Sequence, residues 1–172
     1  AFSSGQNRRH LQRAGGHYIV GEKLRGDSKE AQAALARQGR YKTVTGNLRV
    51  KEVVIDDGVM RDRLVVCLNP AEAERDRAVR AALVARLEEA IAGSDALSPR
   101  ARADLAGQVR ARPGLARLLR TTASGLLRVD RAAIKAEERL DGKFLLRSAD
   151  PTLSAEDIAL GYKQLLEVER AW

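Results

Sequence analysis

The chain has 172 residues, the length of one ordinary domain, and 44% hydrophobic against 31% charged residues is a globular composition that excludes a disordered polymer. Aromatic residues make up only 3%, so the core has to be built from Ala, Leu, Val and Ile, which argues against the stacked-base platform of an RNA-recognition sheet. A formal charge of +8 is the footprint of a protein that meets phosphate. The arginines that carry much of it (Arg75, Arg77, Arg80, Arg86, Arg100, Arg102, Arg110 and Arg112) are, however, dispersed along helical segments, which is equally the pattern of a solvated face.

From the amino terminus, a polar, Arg-rich segment from Gln6 to Ala14 reads as a short helix stopped by Gly15 and Gly16. His17 to Leu24 has β-formers at its head and reads as a strand. An Ala-rich stretch is predicted to be helical from Lys29 to Gln38 and to close at Gly39. Tyr41 to Thr45, Leu48 to Ile55 and Arg61 to Leu68 are β-rich runs separated by Gly46-Asn47 and Asp57-Gly58, so a three-stranded antiparallel meander is expected. Cys67, the single cysteine, lies in the apolar run of the last of these and is read as a buried thiol.

Asn69-Pro70 opens a helix, because Asn is a favoured cap and Pro a favoured first residue, and Val79, Leu83, Leu87 and Ile91 recur through it until Gly93. Ser98-Pro99 opens a second helix to about Ala111, and Pro113-Gly114 divides it from a third at Leu115 to Leu119. A strand from Gly125 to Val129, a helix from Arg131 to Leu140 capped by Asp130, a turn at Asp141-Gly142 and a strand from Lys143 to Arg147 follow. Ser154 with Asp157 makes a capping box, and Ile158, Tyr162, Leu165, Leu166 and Val168 follow at helical spacing.

No apolar stretch is long enough to cross a bilayer, the first residues hold no secretory apolar region, and one cysteine cannot form an internal disulfide; a reducing, cytoplasmic setting is expected. Ala1 in place of Met and a helical pattern still running at Trp172 suggest a piece of a longer protein.

Glu169 is the residue of greatest chemical interest. It lies eleven residues after Ile158 and seven after Tyr162, and at about 100° per residue both offsets return it to the same helical stripe. A carboxylate on a core-facing stripe needs a cationic partner or a bound cation, unless the stripe surfaces there and Glu169 pairs with a neighbour such as Arg170. The segment DGKFLLRSADPTLSAEDIALGYKQLLEVERAW, from Asp141 to Trp172, resembles the region of the third acidic residue in bacterial insertion-sequence transposases of the DDE class. There one helix bears Tyr, two residues, Arg, three residues, Glu, six residues, Lys. Tyr162 and Glu169 match at the required spacing, Leu165 stands where the family has Arg, and the Lys would fall beyond Trp172. AFSSGQNRRHLQRAGGHYIVGEKLR, at the other end, resembles the stretch that follows the second catalytic Asp.

The resemblance implies an α/β fold with partial ribonuclease-H-like core elements and a mixed β-meander and helical insertion. Residues 1–25 would be a helix and strand of the catalytic core, 26–140 the insertion (meander 41–68, helices 70–140), and 141–172 the core strand and helix bearing the third acid. It further implies Glu169 as a catalytic ligand of Mg²⁺, one of two ions that activate the attacking oxygen and stabilise the leaving oxygen of a phosphoryl transfer. Tyr162 would hold the helix or touch DNA. Partners would be double-stranded DNA, as terminal inverted repeats and target, and further copies of the protein on that DNA, with no membrane. Lys143 and Arg147 share one face of a strand and are candidate phosphate contacts, though such a face can equally be solvated. The competing readings are a non-enzymatic basic module that binds DNA or protein, and an inactive transposon remnant. Asp56-Asp57-Gly58 reads as a hairpin turn rather than a metal loop, His10 and His17 lack partners at zinc-ligand spacing, and no glycine-rich phosphate loop is present.

Overall fold

A computed structural model of the chain describes residues 5–26, 28–56 and 61–170, the side chains of residues 12, 55, 56, 61, 62 and 166–170 excepted. In chain order it contains α1 (Gly5–Arg13), β1 (Ile19–Glu22), α2 (Lys29–Ala36), β2 (Lys42–Thr45), β3 (Leu48–Asp56), β4 (Arg61–Leu68), α3 (Pro70–Ile91), α4 (Pro99–Arg110), α5 (Pro113–Ala116), β5 (Leu119–Thr121), β6 (Leu127–Val129), α6 (Arg131–Glu138), β7 (Lys143–Ser148) and α7 (Ala155–Arg170). The fold is mixed α/β with antiparallel sheets, divided into two compact units. The first comprises the described residues up to Ala73 together with those from Gly142 onward; the second is Glu74–Asp141.

The first unit is a five-stranded antiparallel sheet in the order β1-β7-β4-β3-β2, with a helix on each face. Because side chains alternate across a strand, the run Leu64, Val65, Val66, Cys67 splits evenly. Leu64 and Val66 join Val53 and Leu145 beneath Ala31 and Ala34 of α2, whose methyl side chains let the helix sit close to the sheet. Val65 and Cys67 join Leu48, Val50 and Leu146 beneath Ala155, Ile158 and Ala159 of α7. All four β4 residues are fully buried. Burial pushes the Cys67 thiol up to about 12, so it is a neutral core group, as its apolar neighbours suggest.

The sheet runs across the expected division of the chain. The meander of β2, β3 and β4 forms in the expected order, but β4 also pairs with β7 from Arg63↔Ser148 to Leu68↔Lys143, and β7 pairs with β1. The meander therefore lies in one sheet with the two strands assigned to the core. A strand that is apolar on both faces has to be covered on both and flanked on both edges, and the meander alone offers β4 a single neighbour. The turn expected at Asp57-Gly58 falls outside the described residues.

The second unit packs Leu87 of α3, Ala106 and Val109 of α4, Leu115 of α5, Leu118, and Leu119 and Leu127 of a two-stranded ladder into its own core. Ser98 and Asp130 cap α4 and α6, the latter accepting from the N–H groups of Ala132 and Ala133 at 3.0 Å. Two expectations fail here. The third helix stops at Ala116, and Leu119 instead opens β5, which pairs Leu119↔Val129 with β6. This strand exists only because its partner arrives later in the chain. Val79 is 59% exposed although it shares a four-residue repeat with fully buried Leu87. A repeat of four turns the side chain by about 40° per step against a 3.6-residue helix, so such a stripe drifts off the buried face.

Candidate functional site

The resemblance directs attention to β1, β7 and α7, all within the first unit. Strand β7 carries Lys143, Leu145 and Arg147 on its α2 face, and β1 adds Glu22 to that face opposite Leu145. Arg147 is 3% exposed. Its Nε donates to Glu22 Oε1 at 2.6 Å, and another guanidinium nitrogen donates to Glu30 of α2. Arg8 of α1 donates to the same Glu22 oxygen at 3.3 Å. Two guanidinium groups and two carboxylates thus tie α1, β1, β7 and α2 together. The proposed phosphate contact at Arg147 is therefore corrected: its donors are engaged inside the protein, and a phosphate could reach them only by displacing a carboxylate from a buried pair. Leu145, lying between Lys143 and Arg147 on the same face, is the signal in the sequence that this face is covered. Glu22 was not singled out from the sequence, since nothing local distinguishes it from a solvated acid.

Lys143 sits half-buried at the other end of that face, opposite Leu68. Its neighbour Lys51 has its ammonium 5.3 Å above the Tyr41 ring and donates to the Arg37 carbonyl. Burial first, and the charge of Lys143 second, hold the Lys51 ammonium below the usual lysine range.

On the opposite face, α7 is aimed by the loop before it. Arg63 of β4 donates to the carbonyls of Asp150 at 2.7 Å and Leu153 at 2.6 Å, and Ser154 and Asp157 form the expected capping box, with the Asp157 N–H donating to Ser154 Oγ at 3.0 Å. Ile158 is then fully buried, and Tyr162, one turn on, lays its ring over Phe144 of β7 with centroids 6.3 Å apart. The Tyr162 hydroxyl reaches β1: a Cβ placed on Gly21 would lie 2.6 Å from it. A residue without a side chain is what lets the helix close over that strand. Leu165, at the position of the family's Arg, is 52% exposed. The helix continues through Glu169 to Arg170, while the Glu169 side chain lies outside the described residues.

Among the described residues no three His, Cys, Asp or Glu side chains cluster in a way that could hold a metal ion, and no helix is long and apolar enough to cross a membrane. His10 and His17 are both exposed. Compared with family models, curated proteins and solved structures, the chain matches none.

Proposed function

We propose that these residues belong to the catalytic domain of a DDE-type DNA transposase, with partial ribonuclease-H-like elements, and that they supply its third acidic residue, Glu169. The observation that carries this reading is the approach of Tyr162 to Gly21. Two segments more than a hundred residues apart in sequence each resemble the same family, and this approach brings them side by side within one unit. Helical spacing carries the stripe of Ile158 and Tyr162 on to Glu169, two turns further along an unbroken helix.

In this reading Tyr162 is a positioning residue. Its ring on Phe144 and its hydroxyl against Gly21 set the angle at which α7 leaves the sheet, and hence where the Glu169 carboxylate is presented. Two Mg²⁺ ions would supply charge neutralisation for an in-line phosphoryl transfer. The described residues do not by themselves make a metal centre: Glu22, the acid on β1, is already held by Arg8 and Arg147. The resemblance would place the two Asp ligands of the family outside these 172 residues, and the part left to this chain is to present one carboxylate. DNA ends and target, further copies of the protein and a cytoplasmic setting belong to the same proposal, with Lys143 retained as a candidate phosphate contact.

The test is Glu169→Gln in the complete protein. Strand cleavage should be abolished while binding to the element's ends persists; cleavage at an undiminished rate removes Glu169 from the active site and the reading with it.

A further inference from the structure

The second unit holds a cleft of about 620 Å³, in the size range of small-molecule sites, between the start of the 3-10 turn at Ser94 and the β5-β6 ladder. Its polar walls include Ser94, Asp95, Arg120, Thr122, Arg128 and Arg131. Arg120 and Arg128 stand directly opposite each other in the ladder, so their side chains share one face. Like charges in such a pair repel.

Asp95 relieves only one of the two. It accepts from Arg128 through both carboxylate oxygens at 2.8 Å, and its backbone carbonyl accepts from Arg102 at 3.4 Å. Arg131 reaches Glu88 at 3.3 Å with both side chains largely exposed. Arg120 makes no hydrogen bond or ion pair with its side chain among the described residues. Four guanidinium groups thus surround or border the cleft against two carboxylates, and the arginines left without a carboxylate are Arg120, in the lining, and Arg102, at the border.

We propose that this cleft is a phosphate-binding site, with Arg120 as its principal anchor and Arg128 and Arg131 at its walls. A tetrahedral oxyanion presents several oxygens to planar forks at once, which suits neighbouring arginines better than a single carboxylate does. The phosphate can belong to a soluble polyphosphate or to a nucleic-acid backbone. This inference stands apart from the transposase reading, since every residue in it lies in Glu74–Asp141 and none is in the segments that carry the resemblance.

The test uses the 172-residue chain with two probes, sodium pyrophosphate and a short DNA duplex, each titrated by calorimetry against the unaltered chain, Arg120→Gln and Arg86→Gln. Arg86 is an exposed residue of α3 outside the cleft lining, so R86Q removes the same charge elsewhere. The expected result is a loss of affinity of about tenfold in R120Q and less than about twofold in R86Q, for at least one probe. Pyrophosphate binding with that pattern assigns the site to soluble polyphosphates; duplex binding alone with that pattern assigns it to a polymer backbone. Equal losses in R120Q and R86Q, or binding of neither probe, overturn the proposal. Circular dichroism of both variants checks that they fold, as substitution of exposed arginines should allow.

Discussion

The two units handle their charge in opposite ways. In the first, Arg147, Glu22 and Arg8 are largely buried and Glu30 meets them from α2 while half-exposed, and the ions fix how four elements meet. In the second, one pair, Arg80 with Asp141, is similarly buried, and the arginines around the cleft stay at the surface. The lesson is that a sequence charge of +8 is not one property: some cations are internal ties and some are available to a partner, and burial separates them where composition cannot.

The sharpest way to break this comparison is Arg147→Ala. Removing Arg147 leaves Glu22 with only the longer contact to Arg8, and a loss of about 3 kcal/mol in urea unfolding, the lower end for breaking a buried pair, is expected. A loss below about 1 kcal/mol would class Arg147 with the surface arginines. Next comes Gly21→Ala, which puts a methyl group into the Tyr162 hydroxyl and should cost about 1–3 kcal/mol. Tyr162→Phe, combined with it, should recover most of that loss; no recovery would mean that the two residues do not meet.

How much of this was legible beforehand follows the range of each interaction. Caps and turns are local, so Ser98, Asp130, the Ser154-Asp157 box and Gly142, with φ +62°, sit where their residue types place them. Sheet order is not local. Glu22 and Arg147 are 125 residues apart, and only the β1-β7 pairing makes them neighbours. The same holds for β5, three residues of strand that a propensity reading assigns partly to a helix because its partner follows a turn later. At the candidate site, the face shared by Lys143 and Arg147 was readable from alternation, whereas its cover, α2, was not.

Smaller effects sharpen the comparison. Asp130→Ala removes the cap of α6 and should lower stability by about 1 kcal/mol in the same unfolding experiment. Asp95→Asn breaks the exposed pair with Arg128; because both partners face water, only a small loss of stability that fades with added salt is expected. A large, salt-insensitive loss would mean that this pair is an internal tie after all.

Asn69 donates its N–H to the carbonyl of Gly142 at 2.8 Å, so the end of β4, shortly before the chain leaves the first unit after Ala73, lies beside the point at which it re-enters. Everything between them is one continuous stretch of polypeptide, while the five-stranded sheet must wait for β7 to be made before β4 and β1 can find their shared neighbour. Chain topology therefore predicts an order of assembly, the second unit first and the sheet last. It also marks the Asn69 to Gly142 junction as a seam where a short hairpin could replace the whole excursion and leave the ladder between β4 and β7 in register.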